Sequence, residues 1–487
     1  MGKSITIHIF WLLLFALSIV SCKASNLSDD AGKETNEAKY KVKSISDVDA
    51  HAMALKQEIL NSKTTIIATG LTYYVSNSGN DNNSGKSPEN AWATIDKINN
   101  TDFSPGSTVL FERGGTWRGN IIVKAEISFS AYGKGNKPKI YGSPQNYSVK
   151  ENWKTTNIPN VYVYDQKIEY DAGVLVFNEG EACSYKKVIG IDGFSGSLNE
   201  LKNDLEMYHS IDDKRVFLYS TEGNPADRYS SIEFCLDNEI IRTKSHNVLI
   251  DNLCLKYGGS LAIHAINRNG LKVTNCEIGW IGGSIQGGTT RYGNAIQIWG
   301  SCNGYYVDHC YIYQVYDAGI THQYKDPTSS VPIVMENVTY SNNLIEYCIY
   351  SIEYFLNQPN SADKALMKNI LIKDNICRFA GYGWGWQRPN KRSMHIQSWK
   401  TINPAENFIV TGNIFDRSID DLLYIAAAKE AHLPELKNNI YIQNKGGKFG
   451  MVNGNYDQHY PFDLNIENLL KQKGIDNSPT ILFCDIK

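Results

Sequence analysis

Residues 343–355 read NLIEYCIYSIEYF, and two carboxylates, Glu346 and Glu353, stand in a run otherwise rich in Ile, Tyr, Leu, Cys and Phe. A third, Asp317, lies upstream in VYDAGIT. Paired carboxylates do acid–base work. One, kept protonated, hands a proton to a leaving oxygen, and a second, ionised, activates water or attacks carbon. Cleavage of a glycosidic bond uses such a pair directly. Aromatic surroundings raise the pKa of a carboxyl group, as the acid role requires. Asp317 and Glu353 are read as the catalytic pair, with Glu346 as a further candidate. Each has an ordinary alternative: a turn former for Asp317, a solvated strand residue for Glu353, and an ion pair with Arg378 for Glu346.

The elements that carry these residues repeat. NVLIDNLCL, GLKVTNCEI, GYYVDHCYI, NVTYSNNLI, NILIKDNIC and NFIVTGNIF align on Leu253, Cys276, Cys310, Asn343, Asn375 and Asn413. Each unit is a strand, a polar turn and another strand, with no helical period. One coil of this kind cannot bury its own apolar face, but stacked coils share a core. Asn residues in one turn column can bond their neighbours above and below.

A second set of strands, LAIHAI, NAIQIW, AGITHQ and YSIEYF, follows these units. Alternation with Ile263, Ile296, Ile320 and Ile352 inward puts His264, Gln297, Thr321 and Glu353 outward in one row. Two residues on, Ile266, Trp299, Gln323 and Phe355 form a second outward row, with Gln387 as its expected continuation. Polar and aromatic residues in register suit a sugar-binding floor. Glu346 should face out from a different sheet, and His322 inward. Long loops flank the same strands: 282–293, 321–332 and 383–399. Loops of this size on a solenoid mark its working side. They offer Arg291, Tyr292, Trp384, Arg388, His395 and Trp399 as substrate contacts, alongside Gln297, Trp299, His322 and Gln323.

The phrases TYYVSNSGNDNNSGKSPENAWATIDKIN, FSPGSTVLFERGGTWRGNIIV and ISFSAYGKGNKPKIYGS resemble the opening coils of secreted right-handed parallel β-helix proteins, the pectate-lyase-like superfamily. The resemblance implies an all-β, single-stranded right-handed parallel β-helix. It is shared by lyases, hydrolases and epimerases, so it does not name the reaction. The leading expectation is a polysaccharide-degrading glycoside hydrolase that needs no cofactor. A lyase acting on uronic acids is the alternative, with His322, Lys325, Tyr292, Arg291 and Arg388 as its basic groups and Ca²⁺ as a possible cofactor. No cluster of acids in the sequence matches a Ca²⁺ site, and no metal site is expected. A non-catalytic glycan-binding surface protein is the third reading.

The 487 residues carry a formal net charge of −3, which gives no reason to expect nucleic acid as a partner. The expected partner is a carbohydrate polymer or oligosaccharide, met by a monomer. Residues 9–20, IFWLLLFALSIV, have the length of a secretory signal and are short for a membrane span. They run into Ile19-Val20-Ser21-Cys22, which resembles the lipobox of bacterial lipoproteins. That implies cleavage before Cys22, lipidation of its thiol and an exported protein held at the outer membrane by the anchor. The other cysteines lack CxxC spacing and several of them, Cys254, Cys276, Cys310, Cys348 and Cys377, fall in apolar strand patterns, so buried free thiols are expected. Residues 1–22 form the signal, and 23–70 a tether with a short capping helix. Residues 71–487 form the β-helix domain, with a less regular insertion at about 144–236.

Overall fold

The computed structural model describes residues 39–66, 68–361, 364–399, 401–452 and 459–484. The signal segment, Cys22 and the tether before Lys39 lie outside them. From Thr72 the chain winds repeatedly through three ten-stranded sheets in a fixed order. One coil shows the pattern: Val334–Ser341 in the first sheet, Leu344–Glu346 in the second and Tyr350–Asn357 in the third. Among the described residues, the strands of these three sheets pair in parallel except for the closing hairpin of Gly447–Val452 with Tyr460–Phe462, which is antiparallel. This is a parallel β-helix.

The alternation in the sequence explains the winding. In the third sheet Ile241, Ile263, Ile296, Ile320, Ile352, Ile396 and Leu423 stack in one register row, all fully buried. Truncating any of them to Ala should cost about 2–5 kcal/mol. The Asn column forms a buried ladder at a corner. Asn343 Nδ2 donates to Asn375 Oδ1 at 2.9 Å, Asn375 to Asn413 at 2.9 Å, and Asn413 to Asn439 at 3.1 Å. Asn439 ends it on Asp476 Oδ2 at 3.1 Å. A second Asn column, exposed Asn337 and Asn407 with half-buried Asn369 between them, takes left-handed backbone with φ of 56° at Asn337, 53° at Asn369 and 49° at Asn407, a conformation Asn tolerates.

The nine cysteines among the described residues are free thiols, all buried except the half-buried Cys183. The helix Ile45–Asn61 begins at a capping box in which Asp47 N donates to Ser44 Oγ and Ser44 N to Asp47 Oδ2. Its position corrects the sequence reading. It does not close an end but lies along the flank, packing Val48, Ala52, Leu55 and Ile59 against Leu344, Ile376, Ile414 and Ile440 of the second sheet. Those strands are apolar on both faces, so their outer face needs a cover. The ends are closed elsewhere. Ile95 and Ile98 of the helix Ile95–Asn99 join the core near the first coil, and Ile466 and Leu470 of Ile466–Gln472 join it near the last.

Three excursions leave the coil at the same corner, between second-sheet and third-sheet strands. The largest, between Lys139–Tyr141 and Glu239–Thr243, builds a five-stranded and a three-stranded sheet with its own core of Trp153, Tyr164, Phe177, Met207 and Phe234. The other two are residues 282–295, before Ile296–Trp299, and 381–393, before Met394–Ser398. All three therefore stand beside the third sheet.

Candidate active site

The register of the third sheet sets out the floor. His264, Gln297, Thr321, Glu353 and Gln397 are successive partners on its outer face. In the parallel row, Ile266, Trp299, Gln323 and Phe355 are partners. Tyr354 pairs with Ser398, which sets Trp399 beside Phe355. Over these rows lies a cavity of about 550 Å³. Tyr292, Asn294, Asp317 and Arg388 line it from the corner where the excursions leave. Lys325, Asn357 and Trp399 line it from the opposite strand ends, and Gln297, Trp299, Gln323, Glu353 and Phe355 from below.

Two carboxylates occupy this cavity under different constraints. Asp317, 5% exposed, opens the strand Ala318–Lys325 and is bonded to the guanidinium of Arg388. Burial raises its carboxyl above the ordinary range, and Arg388 pulls it back. Arg388 is buried as well, but Asp317 holds its charge in place. Glu353, 4% exposed, has no cation paired with it among the described residues. Burial, and then the charge of Asp317, push its carboxyl up to about 8, against a hydrogen bond from Trp399 Nε1 at 2.6 Å. Near neutral pH the arrangement favours one proton, carried by Glu353, with Asp317 ionised against Arg388.

Most of the other polar floor groups are held by one another, while the buried amide of Gln397 has no hydrogen-bond partner among the described residues. Gln297 Oε1 accepts from Asn294 Nδ2 at 2.6 Å and from Gln323 Nε2 at 3.0 Å. Thr321 Oγ1 donates to Gln323 Oε1 at 3.0 Å. Gln297 Nε2 donates to His264 Nε2 at 3.3 Å, which leaves His264 Nδ1 to donate to Glu239 at 2.7 Å. Trp299 meets Phe355 edge-on with ring centres 6.3 Å apart. The result is a fixed floor of amides and ring faces, which suits a ligand with hydroxyls on its rim and C–H groups on its faces.

Several residues expected at the groove are elsewhere. Glu346 lies on the outer face of the second sheet, under the flanking helix, with Arg378 at 3.6 Å. Its carboxyl is raised by burial, and it pairs structurally. His322 points inward, fully buried, with Nδ1 2.8 Å from Tyr340 Oη, and burial drives its imidazole down to about 3, so it is neutral. His395 is also fully buried, 3.0 Å from Ser351 Oγ and stacked on Phe415, with its imidazole lowered to about 4 by burial. Strict alternation fails there because the chain turns a corner before Ile396.

Trp384 packs against Tyr316 and donates Nε1 to Gln314 O at 2.8 Å. Arg291 stacks over Tyr316 and donates to Gly283 O at 2.8 Å and Gly173 O at 3.0 Å. Gln387 does not continue the second row; both ends of its amide bond the insertion, and Trp399 takes the row position instead. Sequence reasoning missed Asn294 and Asn357. Asn294 opens its strand much as Asp317 does one coil on, and that shared place at a strand entrance was the available signal. Among the described residues, no group of three or more His, Cys, Asp or Glu side chains is arranged to hold a metal ion.

No protein-family model matches the chain. Over 99 residues it is 33% identical to a lacto-N-biosidase of Bifidobacterium longum subsp. longum, a match covering 18% of this chain and 6% of that protein. The chain thus spans a small part of the curated relative it matches. Among solved structures, one described as a glycoside hydrolase superposes with a TM-score of 0.48 at 11% identity, over 80% of this chain and 90% of that one. A GH136 lacto-N-biosidase from Eubacterium ramulus gives 0.44 at 15% identity, over 77% and 61%. The XylC complex with xylose gives 0.43 at 12% identity, over 77% and 69%.

Proposed function

We propose that the protein is a glycoside hydrolase acting on a glycan chain, with Glu353 as the acid and Asp317 as its ionised partner. The observation that carries this reading is the placement of two buried carboxylates in one cavity, one paired with Arg388 and the other not. Glu353 gives its proton to the glycosidic oxygen as the bond to the anomeric carbon breaks, and the bonding pair leaves with that oxygen. Asp317 supplies the negative charge on the other side of the reaction, toward the anomeric carbon or a water that attacks it. Trp299, Phe355 and Trp399 offer ring faces to the sugar, and Gln297, Gln323 and Asn357 meet its hydroxyls. Side chains of one chain supply both acid and base, so the proposed route needs neither a second subunit nor a cofactor. The local likeness to a lacto-N-biosidase points the same way.

β-Elimination has less support. Of its five basic candidates, His322 lies in the core, Arg291 clamps backbone carbonyls and Arg388 is occupied by Asp317, which leaves Lys325 and Tyr292 on the cavity wall. The test is to incubate the protein with neutral, uronic and sulfated glycans, following new reducing ends and the absorbance of unsaturated uronate. Reducing ends alone are expected. Both signals together would favour a lyase, and binding without either would favour a glycan-binding protein.

We also propose export and lipid anchoring at Cys22, which would place the groove at the outer membrane. The motif at the end of the apolar run supports this. Cys22→Ala should abolish lipid labelling and release the protein from the membrane fraction; unchanged labelling would remove the anchor from the account.

A further inference from the structure

The carboxylate pair is braced from behind by chain far away in sequence. Gln387, 9% exposed, ends the short helix Trp384–Gln387 in the loop 381–393. Its Oε1 accepts from Lys186 N at 3.1 Å, and its Nε2 donates to Ser184 O at 2.7 Å. Both amide ends are thus committed to the backbone of the inserted subdomain. The next residue is Arg388, which reaches Asp317, lies 5.4 Å over the Tyr350 ring and donates its N–H to Gly385 O at 2.9 Å.

The insertion is fixed in turn. Lys186 pairs with Asp171 at 2.6 Å, Asp171 accepts from Ile285 N at 2.6 Å in the other groove loop, and Arg291 of that loop bonds Gly173 O at 3.0 Å. One subdomain therefore holds both loops that wall the groove at the Asp317 corner.

The geometry points to Gln387 as a positioning residue, through which the inserted subdomain holds Arg388 against Asp317. This rests on the hydrolase reading above. Its consequence follows from charge. If Arg388 draws back, Asp317 loses the cation that offsets its burial, and its carboxyl moves to higher pKa. Arg388 lowers the Glu353 carboxyl too, so its retreat moves Glu353 to higher pKa as well. The pH window in which Asp317 is ionised and Glu353 protonated then shifts to higher pH.

The groups facing the pair are Arg388, Tyr350 and Tyr316, with Arg392 near Tyr350 and Lys325 across the groove. Lys186, Asp171, His209, Asp237 and Arg291 stand behind the anchor. Gln387→Leu removes none of these charges, so comparison with the unaltered protein isolates the anchor.

The experiment measures two things for Gln387→Leu. One is the pH profile of kcat/KM on a glycan the protein hydrolyses. The other is the infrared titration of the carboxylic-acid band that disappears in Glu353→Gln. We expect kcat/KM to fall about tenfold near neutral pH, with KM within about twofold. Both limbs should move to higher pH by about half a pH unit or more, and the Glu353 band should titrate at higher pH. Limbs and band that stay where they are, whatever the rate, would overturn the proposal. Should Gln387→Leu fail to fold, Gln387→Asn, one methylene too short for both bonds, takes its place with the same readouts. If the protein hydrolyses no glycan, the hydrolase reading fails, while the infrared titration still decides the role of Gln387.

Discussion

Trp399 and Glu353 are joined by a hydrogen bond: the indole Nε1 donates to Glu353 Oε1 at 2.6 Å from the strand end beside Phe355. The bond steadies the acid's orientation and favours its ionised form, while burial and Asp317 favour the protonated one. The acid is thereby held within the range where it can still give up its proton.

Trp399→Phe keeps a ring in the second row and removes the donor. The Glu353 carboxyl should then rise further, and the alkaline limb of the pH–rate profile should move to higher pH. A rate loss of about tenfold is expected from the lost orientation. An alkaline limb that moves to lower pH would show that the indole does not act on Glu353 in this way.

Stability should carry the same signature. The folded carboxyl of Glu353 titrates at about 8, against about 4.3 in an unfolded chain. The folded state binds the extra proton between those values. Its stabilising contribution is complete below about pH 4.3 and is lost as pH rises through about 8. Melting temperature should therefore fall over that interval, and Glu353→Gln, which cannot ionise, should flatten the fall and melt higher than the natural protein at pH 8.5. Parallel melting curves for the two proteins would count against a protonated Glu353.

The Asn ladder makes a prediction free of chemistry. Asn375 accepts from Asn343 N and Nδ2 and donates to Asn413 Oδ1 and Tyr340 O. Asn375→Ala leaves these buried groups unpaired, at a cost of about 2–4 kcal/mol in urea unfolding. Since the column runs along a corner away from the groove, KM should stay within about twofold. A change below about 0.5 kcal/mol would mean that the ladder is ornamental.

The sequence makes the β-helix legible because one coil is written many times. Period-two alternation and the Asn column suffice to align Ile263 with Ile352 and His264 with Glu353, and the structure has that register. The same logic sends His322 inward. It stops at the loops. Trp384, Gln387 and Arg291 sit in excursions without a period, where composition cannot tell a residue that faces the groove from one that holds the wall. His395 follows a corner that breaks alternation. Glu346 precedes Tyr347 in a strand apolar on both faces, and that two-sided pattern was the sign that a helix, not substrate, covers it. The link from Arg388 through Gln387 to Lys186 joins residues about two hundred positions apart, and no local pattern announces it.

The central claim is that Glu353 is the acid. The measurement that tests it most directly is the rate of glycan hydrolysis by Glu353→Gln, on a substrate confirmed for the natural protein, with folding checked by circular dichroism. The substitution preserves size and removes the proton, so kcat should fall by roughly 10²–10⁴-fold while KM changes little. Hydrolysis at the natural rate by the folded variant would contradict the account and take Glu353 out of the mechanism.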